Sequence, residues 1–362
     1  MLDTSAGFAA QALAATEGLA TPVAVVEERI LERNLARMAA FARESGLKLR
    51  PHAKTHKSAF IARRQIHHGA AGLTAATLHE AEVFADAGVD DLFIAHPPVG
   101  EAKRRRLGAL AERGVRLAVA MDDPDLVRGL PEGVEVMWEV DTGLHRVGTA
   151  PGEATDRAAR VLPAGRLRGL FTHAGQSYAI ERAVAARDEW QGLAESAALL
   201  REEGVEVREL SVGSSPTAAW AAEAAAGGIT EMRPGTYVFG DANQVALGAQ
   251  QLDDCALGVV ATVVSTPERG RRVLDCGTKS ISADFHVKGL EGWGMVLGHP
   301  DLRIDRLNEE HAVVLGDADL KVGDRVVVIP SHACTTANLH PALLFVGNGQ
   351  PRWEPVAARG WN

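Results

Sequence analysis

Leu167-Arg168-Gly169-Leu170-Phe171-Thr172-His173, a helical stretch over 182–203, and Val207-Arg208-Glu209-Leu210-Ser211-Val212 read as one strand–helix–strand unit. The two flanking runs are short and β-rich. The stretch between them sets apolar residues at helical spacing with charges between. The same alternation recurs upstream, with strands expected at 22–26, 47–50, 72–74, 91–95, 116–120 and 134–140 and a clear helix over 28–45. About eight such units point to an α/β chain folded as a (β/α)8 TIM-type barrel, not an open doubly wound sheet. No G-x-G-x-x-G follows the first strand, so a dinucleotide fold has no positive support.

The pattern changes near residue 250. Strands then come without long helices, at 257–264, 272–274, 311–315, 325–329 and 343–346. Lys321-Val322-Gly323-Asp324 and Gly347-Asn348-Gly349 punctuate them as turns. The expected organisation is a barrel over 20–248 and a C-terminal β-rich domain over 249–362, with residues 1–19 packed on it.

Composition narrows the function. The 362 residues carry a formal net charge of −9, and the single dense basic cluster, Lys103 to Arg106, falls in a helix and reads as a solvated face. A nucleic-acid partner needs a basic surface, so none is expected. The three cysteines, Cys255, Cys276 and Cys334, are too few and odd in number for a disulfide framework, which points to a reducing compartment. No signal-peptide pattern is seen, and no apolar run approaches the roughly 18 residues of a membrane span. A soluble, cytoplasmic protein is expected.

In a barrel, chemistry gathers where strands end. The first strand end is Arg50-Pro51-His52-Ala53-Lys54-Thr55-His56-Lys57. A lysine in a desolvated, cation-rich pocket loses proton affinity and becomes an amine nucleophile for carbonyls. The same loop also reads as a simple anion-binding turn, and the residue types leave both open. Further polar strand ends are Asp141-Thr142-Gly143-Leu144-His145-Arg146 and Thr172-His173-Ala174-Gly175-Gln176-Ser177-Tyr178. Ser211-Val212-Gly213-Ser214-Ser215-Pro216-Thr217 and Arg233-Pro234-Gly235-Thr236-Tyr237 carry small and hydroxylated residues. Such loops bind phosphate or are plain tight turns. Near the end, His332-Ala333-Cys334 follows a strand. In an extended segment residues i and i+2 share a side, so this pair is a candidate for one metal ion, and imidazole plus thiolate favours zinc.

Taken together, Arg50 to Lys57, Thr77-Leu78-His79-Glu80-Ala81 and His332-Ala333-Cys334 resemble the D-serine dehydratase / D-threonine aldolase family. These are pyridoxal-phosphate enzymes with the alanine-racemase-type fold (fold type III). The resemblance runs from about residue 20 to the C-terminus and implies a homodimer. It implies Lys54 as the Schiff-base lysine and the base for the α-proton. It places Arg146 near the cofactor ring oxygen, His173 against the pyridine ring and Tyr178 near ring or substrate. Gly213, Ser214, Gly235 and Thr236 match the phosphate loops, and His332 and Cys334 the metal pair, with Zn2+ expected and Mn2+ or Mg2+ as alternatives. The implied substrate is a small D-3-hydroxy amino acid. Loss of water gives a keto acid and ammonia, whereas retro-aldol cleavage gives glycine and an aldehyde. In the resembled family aldolases more often carry H-x-D, and the segment 174–178 lacks an obvious aldolase-type Gln-His pair, so dehydration of D-serine is preferred. A racemase and a non-catalytic cofactor carrier are the lesser alternatives. For a substrate with a second carboxylate, His56, His96 and His145 are candidate cations.

Overall fold

The computed structural model describes residues 4–360. The chain divides into two compact units. One gathers the residues up to 36, 55–58 and 236–359; the other holds 37–54 and 59–235.

The strands begin with β1 (Val23–Glu27), β2 (Lys48–Leu49), β3 (Leu73–Ala75), β4 (Asp91–Ile94), β5 (Arg116–Met121), β6 (Glu135–Glu139), β7 (Leu167–Phe171), β8 (Glu209–Val212) and β9 (Glu231–Met232). Strands β2 to β9 form one parallel eight-stranded sheet in the order β2-β9-β8-β7-β6-β5-β4-β3. A bridge between His52 and Thr74 joins its two ends, and the Thr74 N–H donates to the Pro51 carbonyl at 2.9 Å. Each of β2 to β8 is followed by a helix before the next strand. This is the expected α/β barrel.

One of its strands differs from the sequence reading. The run at 22–26 is not in the barrel. The other strands are β10 (Leu257–Glu268), β11 (Arg271–Leu274), β12 (Gly294–Val296), β13 (Arg303–Leu307), β14 (Ala312–Leu315), β15 (Arg325–Pro330), β16 (Ala342–Val346) and β17 (Arg352–Pro355). Strand β1 joins them, with Val23 opposite Val260 in antiparallel register and Val25 opposite Leu344 in parallel register. All five β1 residues are buried. A short apolar run buried on both faces suits the centre of either sheet, so its composition does not assign it. The missing barrel strand is β9, whose two residues are too few to show a period.

In this nine-stranded sheet β10 pairs with both β15 and β11. Six antiparallel strands therefore close into a ring, and β1, β16 and β17 extend the sheet beyond β10. No helix among the described residues is long and apolar enough to cross a membrane.

The barrel interior is layered. Arg50 Nη1 lies 2.7 Å from Asp91 Oδ1 and its Nε 2.7 Å from Glu231 Oε2, while Arg168 Nε lies 2.8 Å from Glu209 Oε2. Burial opposes charge on Asp91, but Arg50 and Arg168 hold its carboxyl down to about 2. Each buried charge has a partner, which is the condition for keeping it there. An apolar layer of Phe93, Ala118, Ala120, Met137 and Phe171 packs as one cluster. The Phe93 and Phe171 rings meet edge to face at 4.8 Å.

Candidate active site

A cavity of about 290 Å³ opens at the C-terminal ends of the barrel strands. Its walls are His52 and Lys54 after β2, Ala76 after β3, Ala95, His96 and Pro97 after β4, Arg146 and Val147 after β6, Phe171 and His173 at the end of β7, Gly213 after β8 and Arg233 after β9. The parallel sheet aims every one of these strand ends the same way, and that is why residues so far apart in sequence converge.

The charge of this lining is lopsided. It contains Lys54, Arg146 and Arg233 and no Asp or Glu, in a chain whose net charge is −9. Arg233 is buried, donates to Ser211 Oγ at 2.6 Å and to the Thr172 carbonyl, and lies 5.1 Å from the Phe171 ring centre. Burial pushes its guanidinium below the ordinary value, against the pull of Glu231 and Glu189. His52 Nδ1 is buried with no hydrogen-bond partner. Burial, with Lys54 and His173 beside it, holds that imidazole neutral, well below its usual range. A half-buried amine, two arginines and an orphaned imidazole nitrogen fit pyridoxal phosphate, which brings an aldehyde, a ring oxygen and a phosphate dianion.

His173 is held through Gly213. Its Nδ1 lies 2.7 Å from the Gly213 carbonyl oxygen. A carbonyl only accepts, so Nδ1 carries the proton and Nε2 keeps a lone pair. Burial, then the cations Lys54, Arg146 and Arg233, lower this imidazole to about 3, partly offset by the Gly213 bond. A Cβ at position 213 would fall 2.8 Å from the Arg233 Cβ and 3.0 Å from its backbone nitrogen, so only glycine allows this approach. The Gly213 N–H donates to Glu189 Oε1 at 3.1 Å. That amide is therefore engaged within the protein, while the residue itself lines the cavity.

The other expected residues divide. Lys54, Arg146, His173 and Gly213 meet at the cavity; Tyr178, Ser214, Gly235 and Thr236 are not among its walls. Tyr178 closes a short 3-10 turn, Gly175–Tyr178. The Ser214 hydroxyl pairs with Thr217 Oγ1 at 2.9 Å. Of the three histidines weighed for a second carboxylate, His96 lines the cavity. His56 is fully buried, and its Nδ1 accepts the Ser58 N–H. His145 is exposed and pairs with Asp141 at 3.0 Å.

The second cluster lies in the β unit. His332 is extended, but Ala333–Leu339 is an α-helix that starts immediately after it. The premise of an extended H-x-C segment therefore fails, and Cys334 sits in a first helical turn. The Cys334 sulfur lies 3.2 Å from Thr55 Oγ1 and 3.8 Å from Thr236 Oγ1. His332 Nδ1 lies 2.7 Å from Asp284 Oδ2. Thr335 Oγ1 donates to Ser282 Oγ at 2.6 Å, and Ser282 donates in turn to Asp284. Burial opposes charge on His332, but Cys334 and Asp284 outweigh it and raise the imidazole to about 10. The ring also hydrogen bonds to Cys334, so a metal taken at Nε2 would displace the proton there. Among the described residues no group of three or more His, Cys, Asp or Glu side chains is arranged to hold a metal. Two protein donors fit an open site more than a closed structural one.

Sequence reasoning gave no role to Arg233, Glu189 or Asp284. Arg233 was quoted only as part of a loop, because the two-residue strand β9 before it shows no period. Glu189 looks like one more charge on a long helix. Asp284 lies in an aperiodic loop 48 residues from His332.

Two family models match the chain: one described as "Alanine racemase, N-terminal domain" over residues 26–243 and one described as "Putative serine dehydratase domain" over 256–346. D-threo-3-hydroxyaspartate dehydratase of Delftia sp. (strain HT23) is 34% identical, covering 95% of this chain and 98% of that protein. D-threonine aldolase of Arthrobacter sp. is also 34% identical, over 94% and 93%. The solved structure of the Delftia enzyme superposes with a TM-score of 0.84 at 31% identity, over 95% of this chain and 99% of that one. A cysteine-to-alanine mutant of D-threo-3-hydroxyaspartate dehydratase, in the metal-free form, superposes equally well, with a TM-score of 0.84.

Proposed function

This chain belongs to the D-serine dehydratase / D-threonine aldolase family of fold-type III pyridoxal-phosphate enzymes, and we propose that it eliminates water from a D-3-hydroxy amino acid to give a 2-oxo acid and ammonia. The observation that carries this reading is the His332–Cys334 pair, with Asp284 on the imidazole and Thr55, the residue after Lys54, on the sulfur.

Bound pyridoxal phosphate supplies an aldehyde for the substrate amine and a ring that withdraws electrons from Cα. Lys54 would hold that aldehyde and, once released from it, would take the α-proton. Arg146 and Arg233 would balance the anionic groups of cofactor and substrate carboxylate. His173 presents a neutral ring with a fixed tautomer, which would meet a heterocycle without adding charge. Zn2+ at His332 and Cys334 would supply Lewis acidity toward an oxygen leaving group. Dehydration needs that hydroxyl to leave, whereas retro-aldol cleavage needs a base for its proton. The metal pair serves the first need.

D-Serine and D-threo-3-hydroxyaspartate both carry the required hydroxyl. Of the three histidines weighed for the second carboxylate of the latter, His96 is the one at the cavity wall. A homodimer and a cytoplasmic location belong to the same proposal. The test is an assay of the cofactor-loaded protein on each substrate, with and without chelator. A 2-oxo acid and ammonia, lost on chelation and restored by zinc, is the expected result. Turnover that ignores chelator removes the metal role, and no turnover of either removes the substrate class.

A further inference from the structure

The carboxyl group of Glu189 touches both loops that hold His173. The helix Arg182–Glu202 carries Glu189, which is buried with 2% exposure. One of its oxygens, Oε1, accepts the N–H of Ala174 at 3.0 Å and the N–H of Gly213 at 3.1 Å. Ala174 is the residue after His173. Gly213 is the residue whose carbonyl receives the His173 Nδ1 proton at 2.7 Å. The contacts form a closed circuit: imidazole to the Gly213 carbonyl, Gly213 amide to the Glu189 oxygen, the same oxygen to the amide beside the imidazole.

We propose that Glu189 is a positioning residue, a buried acceptor that locks the loops after β7 and β8 together so that His173 keeps its Nδ1–H tautomer and presents Nε2 toward the cavity. The two loops otherwise belong to separate strand–helix units, and a bond between them is what a helix side chain is placed to supply. Two N–H groups on one oxygen satisfy two buried donors at once, each costly to leave unpaired. A third contact, the hydroxyl of Thr217, also favours the ionised acid, yet burial outweighs all of these and lifts the carboxyl to about 6. The role needs an acceptor oxygen, not a negative charge, so a side-chain amide suffices: its oxygen accepts both N–H groups and its nitrogen donates to Thr217.

The inference rests on His173 serving the cavity, and its first readout does not depend on any substrate. In the cofactor-loaded protein, nitrogen NMR of the histidine rings reports the tautomer directly. Wild type and Glu189→Gln are expected to show one fixed Nδ1–H tautomer for His173. Glu189→Leu, which keeps bulk and removes the acceptor, is expected to show exchange between tautomers and a kcat lower by about 10²-fold, the scale of an ångström-level misplacement. A tautomer unchanged in Glu189→Leu overturns the proposal. So does a Glu189→Gln variant that loses the fixed tautomer or falls in kcat as the leucine variant does, because charge would then be the requirement. If the leucine variant does not fold, Glu189→Gln alone decides between acceptor and charge. A wrong substrate assignment would remove turnover in every variant and leave the NMR result standing.

Discussion

The Nδ1 of His173 sits 2.7 Å from the Gly213 carbonyl oxygen, which fixes the imidazole as a neutral donor at one nitrogen and a free lone pair at the other. Two strand ends, β7 and β8, thereby share one hydrogen bond at the wall of the cavity. Neutrality is what lets this ring stand beside Lys54, Arg146 and Arg233 without adding a fourth cation.

That neutrality has a consequence for stability. In the folded chain His173 is lowered from 6.5 to about 3, mainly by burial and then by Lys54. The unfolded chain therefore binds this proton first as pH falls. The stabilising contribution is complete above 6.5 and disappears as pH falls toward 3. His173→Asn removes the titration, so its stability should decline less steeply than wild type over that window. Denaturant melts at half-unit pH steps measure it, and parallel acid limbs for the two proteins would contradict it.

Lys54 should be the attachment point of the cofactor. After borohydride reduction, peptide mapping is expected to place the pyridoxyl label on Lys54 alone. Lys54→Ala should lose the label and at least the roughly 10²–10⁴-fold that a positioned general base contributes. A label at Lys57 or elsewhere would overturn the assignment.

Much of this was legible in the sequence, and for identifiable reasons. The barrel could be read because Leu167 to Val212 holds a strand, a long helix and a strand of ordinary length. Lys54, Arg146, His173 and Gly213, which line the cavity, were singled out because they lie in the loops that follow barrel strands. Strand β9 could not be read, and Arg233, which follows it, was quoted in a loop but given no role. Glu189 and Asp284 were missed for another reason: each acts on residues outside its own element, Ala174 and Gly213 for the one and His332 for the other, and nothing local distinguishes them from surface carboxylates. The helix that starts at Ala333 was hidden because Ala-Cys-Thr-Thr after a strand reads as extended.

Asp284 gives a prediction about metal affinity. Its carboxylate on His332 Nδ1, at 2.7 Å, orients the ring and strengthens the other nitrogen as a ligand. Asp284→Ala should weaken zinc binding by about 10–100-fold in a chelator-competition titration, the usual cost of losing such a partner. His332→Ala should abolish it. Equal zinc affinity in Asp284→Ala and wild type would show that the carboxylate does not serve the ligand.

The most direct measurement is the product of D-threonine, because one substrate offers both bonds. The cofactor-loaded, zinc-replete protein is incubated with it, and 2-oxobutanoate and ammonia are quantified beside glycine and acetaldehyde. The account predicts the oxo acid and ammonia in equal amounts, with glycine absent. Glycine and acetaldehyde as the major products would contradict it and make the chain an aldolase.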